Sequence, residues 1–380
     1  MTKLVLVGGG HAHLFVLEAL ARRSVVASTI LISPETTQTY SGMVPGFIEG
    51  RYVSREITID LAALAGAAGA ELVIGTARRV DRVGRTIELE SGERIGYDVL
   101  SLAIGSSAAG LELPGVREHA LLTKPIGRTE RIVAALERGA RETGAEPLRV
   151  VIVGGGAAGV ELALAVRARL DWLGAQRSAV TLISEAHTVL SGRAPAAIAQ
   201  ALHALKQSDI TVRTERTVEA LGDRHLKLAG GGVTPADLVI WATGAAAPPI
   251  FRESGLPIDR DGFLLLDEHL RAEGAPDIFA AGDAATLRAH PATAKSGVYA
   301  VRQGAVLARN LARVCAAGVG TRGLETFHPQ RRFLALLNTG DGRAIFSYGP
   351  FALTSRWAMR LKDRIDREFM QRFGGEAVAR

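Results

Sequence analysis

One pattern constrains this chain more than any other. A short apolar strand, a glycine turn, a helix and a second strand occur in succession, and they occur twice. In the first copy Leu4-Val5-Leu6-Val7 runs into Gly8-Gly9-Gly10, Leu14 to Ala21 has helical spacing, and Ser28-Thr29-Ile30-Leu31-Ile32 is the returning strand. In the second, Arg149-Val150-Val151-Ile152-Val153 runs into Gly154-Gly155-Gly156-Ala157-Ala158-Gly159, Val160 to Leu170 is the helix, and Ala179-Val180-Thr181-Leu182-Ile183 returns. A β-α-β unit of about thirty residues is the size of a nucleotide-binding crossover. Two of them imply two dinucleotide sites, or one ancestral unit duplicated. The expected fold class is α/β: two Rossmann-like dinucleotide-binding domains with a small α+β region at the C-terminal end.

The turn glycines answer steric demands. Gly8 and Gly10 allow a tight turn and let a pyrophosphate approach the backbone at a helix N-terminus. The third fingerprint position holds His13, and a side chain there must push the helix off the strand or point elsewhere. His11 and His13 are too few for a metal, so none is expected, and at the positive end of a helix both are expected to be neutral. In the second copy Gly154, Gly156 and Gly159 complete the fingerprint between strand and helix. The acidic residue usual after the returning strand is missing from both copies. Ser33 and Ser184 stand there, with Glu35 and Glu185 just beyond, which leaves NADH and NADPH both open.

Composition removes several other classes. With 47% hydrophobic and 22% charged residues the chain can bury a core. Its single cysteine, Cys315, rules out chemistry that needs two thiols in one chain, and reads as core packing. No apolar run approaches a membrane span, and the first glycine comes too early for a signal peptide's apolar core. The expectation is a cytoplasmic protein, soluble or peripheral on the inner face of the membrane. The net charge of +6 is scattered and aromatics are only 5%, so no nucleic-acid partner is expected.

Further elements follow. Arg85 to Ile95 reads as a hairpin around Ser91-Gly92, strands end at Gly105, Gly244 and Asp283, and residues 292 to 314 form a helix. In the tail, Arg332 to Leu337 and Ala344 to Tyr348 read as two strands. Ser355 to Phe373 reads as a basic amphipathic helix with Trp357, Leu361, Ile365 and Phe369 on one side and Arg356, Arg360, Asp363 and Arg367 largely on the other.

The two fingerprints, the strand ends Ala103-Ile104-Gly105 and Ala242-Thr243-Gly244, and Ile278-Phe279-Ala280-Ala281-Gly282-Asp283 together resemble the two-dinucleotide-binding-domain flavoproteins of the pyridine nucleotide-disulfide oxidoreductase superfamily. The resemblance covers roughly residues 1 to 315. Gly8-Gly9-Gly10-His11-Ala12-His13 with Tyr40-Ser41-Gly42-Met43-Val44-Pro45-Gly46, and Trp357 with Leu361-Lys362-Asp363-Arg364-Ile365-Asp366-Arg367, look like one branch of it. That branch is the oxidoreductase sometimes fused to selenide, water dikinase, and it is similar to type II NADH dehydrogenases.

The resemblance implies an FAD-binding domain in two parts, 1–118 and 250–322, an NAD(P)-binding domain at 119–249, and a hairpin with an amphipathic helix at 323–380. It implies FAD and NAD(P)H as cofactors. The cofactor-binding residues expected are Gly8, Gly10, His11, Ala12, Ser33, Pro45, Ala77, Ala103, Gly105, Gly154, Gly156, Gly159, Ser184, Glu185, Gly244, Gly282 and Asp283. Glu161, near the nicotinamide, and Lys295, adding charge near the flavin, are the expected catalytic residues.

Two departures narrow the activity. Thr37 to Gly50 has no cysteine where disulfide reductases carry their redox pair, which excludes that reaction. Val298 falls where type II NADH dehydrogenases carry a quinone-site glutamine. The leading expectation is hydride transfer from NAD(P)H to FAD and electron delivery to a quinone or another small non-disulfide acceptor. The alternatives are an NAD(P)H reductase of an iron–sulfur electron carrier, and a flavin-bound NAD(P)H sensor with little turnover. The last helix is expected to serve as core, as a homodimer interface or as a peripheral membrane contact.

Overall fold

The computed structural model describes residues 1–374 except 24, 26, 125, 143–145, 331 and 333. Two parallel sheets dominate it. The first has eight strands, and its parallel centre runs Glu71–Ile74, Ser28–Ser33, Lys3–Val7, Val99–Leu102 and Ala275–Ala280. Val5 sits in register between Ile30 and Leu100. Leu4, Leu6, Val99 and Leu100 are wholly buried, as expected of strands covered on both faces. This sheet draws on both ends of the chain, because Leu264–Leu266 and Ala285–Leu287 extend it beyond Ala275–Ala280.

The second sheet has five parallel strands in the order Ala120–Leu122, Leu238–Trp241, Arg149–Val153, Ala179–Ile183, Ile210–Arg213. Each sheet places one fingerprint turn at the carboxyl end of its central strand, where open α/β sheets bind ligands. The hairpin read around Ser91-Gly92 forms as Thr86–Leu89 against Arg94–Gly96, with Ala77–Asp81 as a third strand.

The tail differs from the reading in two respects. It is a three-stranded antiparallel sheet, Ala335–Asn338, Ala344–Tyr348 and Phe351–Ser355, rather than a hairpin. Tyr348 pairs with Phe351 across Gly349-Pro350, and Gly349 adopts φ +59°, a turn conformation easy for glycine. Of the first strand as read, Phe333 lies outside the described residues.

The helix Arg356–Phe373 forms as expected, but with a different inner face. Met359, Lys362, Asp366 and Phe373 are buried, while Trp357 and Ile365 of the expected apolar side stay substantially exposed. The reason is the surface beneath it, which offers tyrosine hydroxyls and a backbone carbonyl to Asp363, Asp366 and Lys362. Polar complementarity therefore outweighed hydrophobic periodicity in setting its rotation. Among the described residues no helix is long and apolar enough to cross a membrane.

Candidate active site

At the first turn, Gly8 adopts φ +89°, and a β-carbon there would lie 2.6 Å from the carbonyl oxygen of Ala103. A β-carbon on Gly10 would collide with the same oxygen, which instead accepts Gly10 N–H at 3.1 Å. The turn is thus clamped to the end of Val99–Leu102, and Ala103 is the anvil. His13 neither splays the helix into solvent nor faces outward. Its ring is wholly buried, with Nδ1 2.6 Å from the carbonyl oxygen of Gly8 and Nε2 2.9 Å from Ser101 Oγ. A carbonyl can only accept, so Nδ1 carries the proton and Nε2 accepts from the Ser101 hydroxyl. His13 is a tie between turn, helix and strand.

Burial pushes both His11 and His13 down to about 4. His11 is packed between Tyr40 and Phe369, with ring centroids 5.5 and 5.8 Å away, and its Nε2 has no hydrogen-bond partner. Ala12 is buried beside Gly304, Ser33 is buried with its hydroxyl turned to Glu35 N–H, and Ala77 opens the strand Ala77–Asp81.

The second turn is tighter. A β-carbon on Gly159 would strike the carbonyl oxygen of Gly154, whereas one on Gly156 or Gly244 would meet nothing within 4 Å. Gly159 therefore brings the helix close, and Gly156 and Gly244 border open space. Ser184 is buried beneath Gly155, and Glu185 at the strand end is exposed.

The helices His11–Ala21, Ala157–Trp172 and Gly297–Ala317 all begin without a side-chain cap, at Gly10, Gly156 and Ser296. Pro195–Gln207 also begins without a side-chain cap, whereas Leu61–Ala67 and Arg356–Phe373 are capped by Asp60 and Ser355. Uncapped N-termini leave free N–H groups and partial positive charge. Two of them stand at fingerprint turns, where a pyrophosphate would use them.

Asp283 lies in a single 3-10 turn, Gly282–Ala284, after the strand Ala275–Ala280. Gly282, at φ +78°, donates its N–H to Gln303 Oε1 at 2.6 Å. Lys124, two residues past the second sheet's strand Ala120–Leu122, bonds Ser106 Oγ and lies 3.6 Å from Asp283. Lys295 does not stand free toward the site. Its ammonium bonds the Ala285 carbonyl and Thr286 Oγ1, and it sits 4.0 Å over the Phe263 ring. Burial pushes it down to about 8.

Pro45 lies in the buried helix Val44–Glu49, which packs against Ala157–Trp172 and brings the two halves together at Glu161. Glu161 Oε1 accepts Asn338 N–H at 2.8 Å, and Asn338 Nδ2 donates to Glu49 Oε2 at 2.7 Å. Lys362 Nζ donates to Asp366 Oδ2 at 2.7 Å and to the Gly42 carbonyl at 2.6 Å. Tyr40 donates to Asp366 and Tyr52 to Asp363.

Burial pushes the Glu161 carboxyl up to about 7, with Lys362 pulling partly back, and Glu49 is raised by burial too. Burial alone would lower Lys362, but Asp366 and Glu161 outweigh it and raise the ammonium. Sequence reasoning found Glu161 and gave no role to Lys124, Asn338, Lys362 or Asp366. The motif Leu361-Lys362-Asp363 was visible, but its partners lie some 300 positions away.

Two fingerprint turns, each at the carboxyl end of its own parallel sheet and each opening an uncapped helix, are the arrangement of a two-nucleotide flavoprotein oxidoreductase. The model of the pyridine nucleotide-disulphide oxidoreductase family matches residues 2–304, and the chain belongs to that family. It is 30% identical over 301 residues to an NADH dehydrogenase-like protein of Mycobacterium tuberculosis, covering 76% of this chain and 74% of the relative. It is 31% identical over 199 residues to demethylphylloquinone reductase of Synechocystis, covering 52% and 48%.

Among solved structures, NDH2 of Plasmodium falciparum in complex with NADH superposes with TM-score 0.79 at 15% identity, covering 98% of this chain and 99% of that one. The sulfide:quinone oxidoreductase of Aquifex aeolicus superposes with TM-score 0.80 at 17% identity, covering 98% and 91%. The fold is shared with both. The cofactors are FAD and NAD(P)H, and the protein is an oxidoreductase of the NADH dehydrogenase-like kind.

Proposed function

We propose that this chain oxidises NAD(P)H and delivers two electrons, with protons, to a quinone. The carrying observation is the cluster of Glu161, Lys362 and Asp366, two residues past the second fingerprint and tied to the Gly42 carbonyl. A quinone takes up two protons with its two electrons, whereas an iron–sulfur carrier takes none. A carboxyl held near neutrality is suited to moving protons at physiological pH. Oε1 of Glu161 is held by Asn338 N–H, which leaves Oε2 to hold or release the proton. Lys362 keeps the charged form within reach, and Asp366 holds Lys362.

The remaining residues bind and orient. Gly8, Gly10, His11 and Ala12 present the first turn to the FAD pyrophosphate, and Ala103 and Gly105 back it. Ser33, Pro45 and Ala77 belong to the same half, and Gly282 and Asp283 would hold the ribityl chain of bound FAD. Bound FAD supplies hydride acceptance and onward electron transfer. Gly154, Gly156 and Gly159 would receive the NAD(P)H pyrophosphate, Gly244 leaves room for it, Glu185 would meet its ribose, and Ser184 supports the turn from beneath Gly155. Lys295 acts here by holding the strand Ala285–Leu287 that precedes the helix Gly297–Ala317. It is a positioning residue in this reading, not the catalytic one expected.

We also propose that membrane contact runs through the exposed end of the tail sheet and the first turn of the last helix, whose inner face is occupied within the molecule. Phe351 and Leu353 of that sheet and the neighbouring Trp357 are 73%, 42% and 48% exposed.

The test is anaerobic titration with NADH and with NADPH while flavin absorbance is followed, then mixing with menadione or ferricyanide. Bleaching by one nucleotide and reoxidation by menadione are expected. In Glu161→Gln, menadione reduction should fall about a hundredfold, the usual scale of proton-transfer catalysis, with ferricyanide reduction little changed. A yellow protein that neither nucleotide bleaches would sink the reading, and equal losses with both acceptors would sink the role of Glu161.

A further inference from the structure

Lys124 joins the carboxyl ends of the two parallel sheets. Its own strand, Ala120–Leu122, and the second fingerprint strand, Arg149–Val153, flank Leu238–Trp241, and Leu122 and Val153 are both in register with Trp241. Thr123 donates its N–H and its hydroxyl to the Trp241 carbonyl, at 3.3 and 2.9 Å. Lys124 is therefore fixed to the same sheet end as the second glycine turn. Its two partners belong to the other sheet. Ser106 and Asp283 follow the strands Val99–Leu102 and Ala275–Ala280, and Leu102 pairs in register with both Val7 and Ala280. The cation thus reaches from the second half to the neighbours of the first fingerprint strand.

The ammonium is held on Ser106 Oγ at 2.5 Å but stands 3.6 Å from Asp283 Oδ2, too far for a direct hydrogen bond. It offsets the charge of the carboxylate without occupying its oxygens, and among the described residues no donor bonds them. Lys295 also acts on Asp283, but its ammonium is bonded to Ala285 and Thr286 and forms no ion pair with it among the described residues.

A pair of this length adds little to stability. Its charge matters more where electrons arrive. The side chains of Lys124 and Asp283 are 24% and 20% exposed, so solvent screens them only in part. A bare carboxylate beside a flavin opposes the two electrons that a hydride brings, and a cation paired with it cancels that field.

We propose that Lys124 is a positioning residue for hydride transfer, which neutralises Asp283 beside bound FAD, raises the flavin's reduction potential and holds the nicotinamide half against that site. The proposal rests on the reading of Asp283 as a ligand of the ribityl chain.

The test uses Lys124→Met, Lys124→Arg and Asp283→Asn, each loaded with FAD. The midpoint potential is read by dithionite titration against a redox dye, so no nicotinamide nucleotide enters the measurement. FAD affinity is read from retention on ultrafiltration, and stability from the melting temperature. Lys124→Met should disfavour flavin reduction about tenfold, which is about 30 mV for a two-electron couple. Lys124→Arg should keep the wild-type potential, and Asp283→Asn should bind FAD about tenfold more weakly. If Lys124→Met does not retain FAD, Lys124→Gln is read in its place. A lower melting temperature with an unchanged potential in Lys124→Met would mean a structural tie alone and overturns the proposal. So does a potential in Lys124→Arg as low as in Lys124→Met, because charge would not be the cause. In both cases weakened FAD binding by Asp283→Asn leaves the flavin site standing. Unchanged FAD affinity in Asp283→Asn overturns the placing of Asp283 and the role of Lys124 with it.

Discussion

At the residue scale, three titratable groups shifted by desolvation give the protein opposed pH responses. His11 and His13 are held near 4 in the fold against 6.5 in the unfolded chain. Between these values the unfolded chain binds more protons, so their contribution is full above about pH 6.5, falls as pH drops, and levels off below about pH 4. Each accounts for about 3 kcal/mol at 1.36 kcal/mol per unit. His11→Phe removes an unpartnered nitrogen from an aromatic cluster, so its melting temperature at neutral pH should equal or exceed the wild type, and its loss on acidification should be smaller. A steeper acid loss would show that His11 is protonated in the fold.

Glu161 has the other sign. Raised from 4.5 to about 7, it favours the fold at low pH and costs stability as pH rises through that interval. Glu161→Gln should therefore melt higher than the wild type at about pH 8, by about 3 kcal/mol of stability, and no higher at about pH 4. Matching melting curves at about pH 8 would mean that the carboxyl ionises at its ordinary value.

At the scale of elements, the two crossover units solve one packing problem in two ways. In the second, Gly159 lets the helix close on the carbonyl of Gly154. In the first, the His13 ring fills the equivalent gap and bonds the equivalent carbonyl, that of Gly8. Gly159→Ala should force the second helix outward, abolishing bleaching by NAD(P)H while the bound flavin absorbance remains. Loss of flavin from this variant would show that the two units fold as one.

The last helix is equally specific. Phe373 is buried, with its ring centroid 5.0 Å from that of Phe15 and 4.9 Å from that of Phe369. Phe373→Ala should cost about 3–5 kcal/mol in urea unfolding. A cost under about 1 kcal/mol, the range of surface changes, would mean that the helix is only loosely docked.

At the scale of the molecule, each sheet carries one fingerprint turn, and the segments between and after them supply the polar groups beside Asp283 and Glu161. Lys124 ties the end of the second sheet's strand Ala120–Leu122 to Ser106 and Asp283, and the tail supplies Asn338, Lys362 and Asp366. A neutral quinone should not be steered by the +6 charge, so turnover with menadione should change little with salt. A steep fall would favour an acidic protein carrier instead.

Sequence alone determined what is local or periodic. The two crossovers, both glycine turns, the hairpin at Ser91-Gly92 and the exclusion of disulfide chemistry are written within windows of about thirty residues, because backbone sterics and strand alternation act over that range. Glu161 drew notice because it follows the second fingerprint in a matching position of the family. The tertiary structure decided the rest. His13 became a tie only because Ser101 arrived from a strand 88 positions away. Lys295 turned to Ala285 and Thr286 rather than into the site. The rotation of the last helix was set by Tyr40, Tyr52 and Gly42, more than 300 positions upstream. A buried charge settles where its partner is, and the partner's position is a property of the folded chain.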